Sequence, residues 1–296
     1  FEEPDRFYTP ATVIIDSPIV FEDEERDFTW KPKNYKERFF GPTLMRDALA
    51  KSRNVVTIKI LRDIGIDYAI EYARKLGIAS DLSKDLSIAL GSSGVSLLEL
   101  TNAYSVFANQ GYLVEPVFIT KIVDREGNVL EEMSPERIKV IEQTTAYLVT
   151  HLLEGVVKYG TGWRVKALNR PVAGKTGTTN NLFDAWFMGY TPRYITGVWV
   201  GFDDEAPLGK SETGSRAAAP IWLGYMKRIL ADKPPQIFEV PEGIVFTKID
   251  TETGLLPIPE SKETVFVSFK EGTEPTEYSK RPDEIADTGE FFKKDL

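Results

Sequence analysis

Apolar residues return at three- and four-residue spacing in several stretches of this chain, and each such stretch predicts a helix with one buried face. Leu44, Ala48 and Leu49 begin a helical pattern from Thr43, which breaks at the polar triplet Ser52-Arg53-Asn54 and resumes with Val55, Ile58 and Leu61. Asp67 is placed to cap a helix through Ala69, Ile70, Ala73 and Leu76, with Gly77 just past its end. Ser96 and Glu99 have capping-box spacing ahead of Leu100, Ala103, Tyr104, Phe107 and Ala108, a face that stops at Gly111. Ala146, Val149, Leu152, Leu153 and Val156 predict a further helix over 144–157, and Ile221, Trp222, Tyr225, Met226 and Ile229 one over 217–230, set to cover a sheet face.

Strand-like runs lie between the helices. Val117 to Val123 and the residues from Val129 onward flank Asp124-Arg125-Glu126-Gly127-Asn128, a hairpin pattern. Three runs follow in quick succession, Val172 to Thr178, Ala185 to Tyr190 and Ile195 to Phe202. Linkers this short join only antiparallel neighbours, so the runs predict a meander. Helices before and after an antiparallel sheet make the fold class α+β, with helices expected on both faces. Residues 1–42 mix short apolar runs with prolines and the acidic stretch Glu22 to Asp27, read as a solvated loop. From Lys233 the sequence is Pro-rich and acidic, with β-like pieces at Ile244 to Ile249 and Thr264 to Phe269 and a polar end from Asp283. This divides the chain at 1–232 and 233–296, the second part a tail or small appended subdomain.

Composition removes several kinds of chemistry. The 296 residues carry a net charge of −9, which argues against nucleic acid as a partner, since that needs a basic face. Without cysteine there is no thiolate nucleophile and no cysteine-ligated metal; the single histidine, His151, lies on a helix pattern and reads as structural, so neither a histidine triad nor a multi-histidine metal site is expected. No cofactor is implied. No apolar run approaches the ~20 residues of a membrane span. The opening at Phe1 looks like a cut rather than a natural terminus.

Candidate chemistry centres on Lys175-Thr176-Gly177-Thr178 in the first strand of the meander. Glycine weakens a strand unless another group must approach its backbone. A cation, two hydroxyls and open backbone on one edge suit an anionic ligand that pairs along the strand; a hairpin end would use the same residue types. Ser52 and Asn54, a hydroxyl and a carboxamide at a helix break, form the second element, although a Ser-x-Asn triplet alone also serves as an ordinary helix cap. Serine β-lactamases and penicillin-binding proteins combine Ser-x-x-Lys, Ser-x-Asn and Lys-Thr-Gly motifs; two of the three stand here in that order.

Longer stretches extend the resemblance. Gly41 to Asp63, Leu97 to Gly111 and Ala173 to Asp203 each resemble segments of the class A, bifunctional penicillin-binding proteins, and they are distributed along a resemblance read over most of 8–232. The resemblance implies a β-lactamase/transpeptidase-like fold and a D-Ala-D-Ala transpeptidase that cross-links peptidoglycan stem peptides through an acyl-serine and is the target of β-lactam antibiotics. It also implies a location at the outer face of the cytoplasmic membrane or in the periplasm, in a membrane-anchored parent protein. Under it, Ser52 relays a proton toward the departing D-Ala nitrogen, Asn54 hydrogen-bonds the substrate amide, and Lys175 keeps the field positive. Thr176 and Thr178 hold the substrate carboxylate, the Thr178 N–H forms half of an oxyanion hole, and Gly177 keeps the strand open to ligand. Trp186 and Phe187 read as core rather than platform. Arg53 departs from the aspartate common at the middle of the loop motif, a position that points away in the family picture.

No serine in the sequence has lysine three residues later. The family places that motif just upstream of the segment matching Tyr8 to Ile14, so the fold is expected to be incomplete on its N-terminal side, with an upstream fragment of the same protein as partner. The chain alone is expected to be inactive. Two other readings stay open: a β-lactamase-like hydrolase, and a non-catalytic peptidoglycan-binding or scaffold module.

Overall fold

The pattern of short linkers and alternating faces is realised as a three-stranded antiparallel meander with helices on both sides, in a computed structural model that describes residues 8–23 and 28–281. Residues 24–27 of the acidic stretch and the end of the chain from 282 lie outside the described residues, while Glu22 and Asp23, expected in a loop, belong to a strand. In chain order the elements begin with β1 (Val13–Asp16), β2 (Phe21–Asp23), β3 (Phe28–Trp30), β4 (Gly41–Leu44), α1 (Met45–Lys51), α2 (Asn54–Ile64) and α3 (Ile66–Lys75). Then come α4 (Leu97–Ala108), β5 (Tyr112–Val114), β6 (Lys121–Val123), β7 (Val129–Glu132), β8 (Arg137–Lys139) and α5 (Gln143–Lys158). The meander is β9 (Ala173–Thr178), β10 (Ala185–Tyr190) and β11 (Ile195–Val200), followed by α6 (Ala219–Ile229) and the hairpin β12 (Ile244–Asp250) and β13 (Thr264–Lys270).

Strand order is β11-β10-β9, which leaves β9 at an edge among the described residues. Trp186 sits opposite Gly177 and Met188 opposite Lys175. On one face Phe187 packs against Trp222, Met226, Val157 and Val165. On the other, Tyr190 and Ala173 meet Leu153 and Val156 of α5, with Tyr104 and Phe107 of α4 beside them. Burying such side chains stabilises by ~1.5–3 kcal/mol each. The Trp222 indole N–H, which burial would otherwise strand, donates to the carbonyls of Gly189 and Thr196.

Several local expectations need correction. Thr43 and Leu44 belong to β4, paired with β1, and the helix starts only at Met45, whose N–H bonds the Thr12 carbonyl. Asp67 does not cap α3: Gly65 holds the cap position with no side-chain bond, and Asp67 lies in the first turn, facing Lys84 at 3.5 Å. On α6, Ile221 and Tyr225 are 54% and 52% exposed, so only Trp222 and Met226 of the expected stripe are fully buried. A π-helical turn, Gly214–Ala218, leads into this helix. The Ser96–Glu99 capping box forms with both hydrogen bonds made.

The β12–β13 hairpin buries Ile249, Val267 and Phe269 against Ala11 and Leu44. His151 of α5 reaches the same hairpin through a short Nδ1 to Ser268 hydroxyl hydrogen bond and ring contacts with Phe246 and Tyr147. This histidine is spent on packing.

Candidate active site

Helix α1 ends in a way that exposes a hydroxyl. Ser52 adopts the left-handed conformation, φ 53° and ψ 57°, while the N–H groups of Ser52 and Arg53 close back onto the carbonyls of Leu49 and Ala48. A non-glycine residue held there costs energy that the neighbouring structure must offset, a pattern that clusters at working sites. After this reversal α2 starts at once with Asn54.

The reversal brings Ser52 to the strand 123 positions later: Lys175 Nζ donates to Ser52 Oγ at 2.9 Å and to the Thr176 carbonyl at 2.9 Å. Burial lowers the Lys175 ammonium to a pKa of about 8. An amine poised there exchanges protons near neutrality, and its contact with a hydroxyl makes a proton path.

The strand edge is set by register. Thr179 N donates to the Asp184 carbonyl at 3.1 Å, so that pair is hydrogen-bonded and the adjacent pair, Thr178 opposite Ala185, is not. The N–H groups of Thr176 and Thr178 therefore turn toward the open edge. Their hydroxyls have fixed partners: Thr178 Oγ1 accepts from Gly214 N at 3.0 Å, and Thr176 Oγ1 lies 2.6 Å from Thr161 Oγ1. A Cβ on Gly214 would stand 2.4 Å from the Gly177 carbonyl and 2.3 Å from that of Trp186, so only glycine lets the loop come this near.

Two cavities meet along this edge. One, of about 550 Å³, is lined by Ser52, Asn54, Thr161, Thr176, Thr178 and the loop at 33–37. The other, of about 880 Å³, has Lys175 to Thr178 on one wall and apolar residues including Ile88, Leu97, Leu100 and Tyr104 on others. Trp186, read from sequence as core, is half-buried and lines this second cavity, tilted against Trp199 at 6.2 Å; Phe187 is core. Gly177 also has a nearer reason than ligand access, since an added Cβ would lie 3.0 Å from the Trp186 Cβ.

All six residues singled out from sequence converge here or line these cavities, with one difference in detail. The Asn54 amide nitrogen donates to the Lys33 carbonyl at 3.0 Å, a partner within the chain. Arg53 turns away, its guanidinium 3.2 Å from the centroid of the Phe40 ring. Sequence reasoning missed Thr161, the Gly214 N–H and Asn34. Asn34 is buried and bonds both Asp16 carboxylate oxygens at 2.9 Å, holding the loop that borders the cleft. Nothing in their spacing marks these groups, because each acts through space. Among the described residues no cluster of His, Cys, Asp or Glu could hold a metal, and no helix is long and apolar enough to cross a membrane.

Comparison with known proteins shows the family. Residues 6–227 match the penicillin binding protein transpeptidase domain, and residues 240–284 match the C-terminal domain of penicillin-binding protein 1A. Penicillin-binding protein 1A of Pseudomonas aeruginosa is 38% identical across 94% of this chain and 40% of its own length. That of Aquifex aeolicus is 41% identical across 90% of the chain and 36% of its own. The crystal structure of penicillin-binding protein 1A from Haemophilus influenzae superposes with a TM-score of 0.86 at 32% identity, covering 92% of this chain and 46% of that one. The PonA1 protein of Mycobacterium tuberculosis in complex with penicillin V gives 0.70 at 26% identity, covering 79% and 67%. The chain thus spans about two fifths of the length of the curated relatives it matches. With both matches in tandem and the Ser52, Asn54 and Lys175 to Thr178 groups gathered on one strand edge, the chain belongs to the penicillin-binding protein transpeptidase family, of the class A type.

Proposed function

We propose that this chain forms the substrate-reading half of a D-Ala-D-Ala transpeptidase that cross-links peptidoglycan stem peptides and is acylated by β-lactams. The observation that carries the reading is the Lys175 to Ser52 hydrogen bond beside an open strand edge. In the reaction a serine oxygen attacks the penultimate D-Ala carbonyl, the peptide C–N bond breaks, and the leaving D-Ala nitrogen takes up a proton. An amine of a second stem then attacks the ester and restores the serine. Ser52 supplies the proton to the leaving nitrogen and recovers it through Lys175. Asn54 faces the substrate amide, Thr176 and Thr178 receive the terminal carboxylate, and the edge-directed Thr178 N–H stabilises the oxyanion, a donor commonly worth ~2.7–4 kcal/mol.

The serine nucleophile and its lysine come from polypeptide outside these residues. The supports are the lack of any Ser-x-x-Lys in the sequence and the apolar-walled cavity beside Lys175, which suits a helix carrying that motif. The reaction belongs at the outer face of the cytoplasmic membrane, where stem peptides are cross-linked, in a membrane-anchored parent. A division near residue 232 is supported by the interval between the two family matches. The test is cross-linking of a donor stem peptide to an amine acceptor by a polypeptide that joins this chain to a Ser-x-x-Lys segment. Ser52→Ala and Lys175→Ala should each lower the rate by ~10²–10⁴, the usual range for lost acid–base catalysis. Rapid turnover of a cephalosporin with no cross-linked product would instead favour a hydrolase, and stem-peptide binding with no reaction a scaffold module.

A further inference from the structure

Thr161 lies in the turn after α5, outside both motifs, yet it bonds the helix that leads into the first and a hydroxyl of the second. Its N–H donates to the Ala50 carbonyl at 3.0 Å, two residues before Ser52, and its hydroxyl lies 2.6 Å from that of Thr176. The two residues before Thr161 also hold the turn against α1. Lys51 Nζ donates to the Tyr159 carbonyl at 2.8 Å, and a Cβ on Gly160 would stand 2.2 Å from the Ala50 carbonyl. Thr161 also lines the polar cavity with Ser52, Asn54, Thr176 and Thr178.

A hydroxyl carries one proton, so what it accepts decides where that proton goes. Thr178 Oγ1 accepts the Gly214 N–H, and its own proton remains available to another acceptor. If Thr161 donates to Thr176, the second hydroxyl is in the same condition, and the strand edge offers two outward O–H donors beside the N–H groups of residues 176 and 178. Such a set suits a carboxylate, which only accepts, and disfavours a terminal amide, whose NH₂ would face donors.

We propose that Thr161 is a positioning residue which, by donating to Thr176, orients the Thr176 proton into the cleft and makes the site select a terminal carboxylate over its amide. This rests on the transpeptidase reading for the position of the substrate's C-terminus. The selection is expressed by this chain without the acylated serine and is measurable as reversible binding.

The test is a chemical-shift titration of the ¹⁵N-labelled 296-residue chain, followed at the amides of residues 176 and 178. The ligands are diacetyl-lysyl-D-Ala-D-Ala and its C-terminal amide. The wild-type chain should bind the carboxylate form more tightly. Thr161→Val should lower that preference by about tenfold, as expected when a charge-assisted hydrogen bond loses its orientation, and Thr161→Ser should keep it. Thr161→Ala removes the same hydroxyl without branching and serves if the valine variant does not fold. A carboxylate preference that survives both hydroxyl-removing variants would overturn the inference while leaving the transpeptidase reading intact. A wild-type chain indifferent to the terminal group would overturn both.

Discussion

At the scale of single residues, Lys175 couples the site to pH. Its depressed pKa means that between about 8 and 10.5 the unfolded chain binds a proton which the folded chain does not. Stability then rises with pH across that window, the partly buried cation costing the fold below it. Lys175→Met removes the effect, so in urea titrations the variant's stability advantage over wild type should be largest at pH 7 and shrink toward pH 10.5; a constant difference would contradict the assignment. Of this residue's surroundings, the polar break at 52–54 and the Lys-Thr-Gly strand were legible in sequence. The left-handed Ser52 and the choice of Asn54's partner were not, since both depend on how the 33–38 loop and the 159–162 turn close over the helix break.

At the scale of elements, His151 joins α5 to the β12–β13 hairpin. Desolvation first, then the positive charges of Lys158 and Arg46, push its pKa down to about 4. The folded state binds fewer protons than the unfolded one between pH 6.5 and 4, so this contribution is complete above 6.5 and is lost on acidification, up to ~3 kcal/mol. His151→Gln should flatten the acid limb of the stability curve between pH 7 and 4 relative to wild type, measured by urea unfolding; parallel curves would sink the claim. Sequence correctly marked this residue as structural but not what it holds, because Ser268 is remote along the chain. The capping box and the meander were legible because their signals are local. The facing of α6 was not: Trp222 and Met226 are buried while Ile221 and Tyr225 turn to solvent, and on a helix apolar on more than one side periodicity does not say which side is covered.

At the scale of the whole molecule, the sheet and its helices assemble one polar side of the candidate cleft, with β9 exposing the Lys175, Thr176 and Thr178 groups between two cavities. The α+β class followed from helical patterns on either side of a short-linked strand meander and the family from motif order and flanking sequence, and the fold and the comparisons agree with them. The hairpin at 244–270 is less separate than its composition suggests, since Ala11 and Leu44 share its core. What the sequence showed most directly at this scale was a deficit, the lack of Ser-x-x-Lys. Intact-mass spectrometry with a labelled penicillin tests the central claim. The 296-residue chain alone should show no covalent adduct, and the same chain joined to a Ser-x-x-Lys segment should gain one adduct, on that serine. An adduct on the chain alone, or none on the joined polypeptide, would contradict the account.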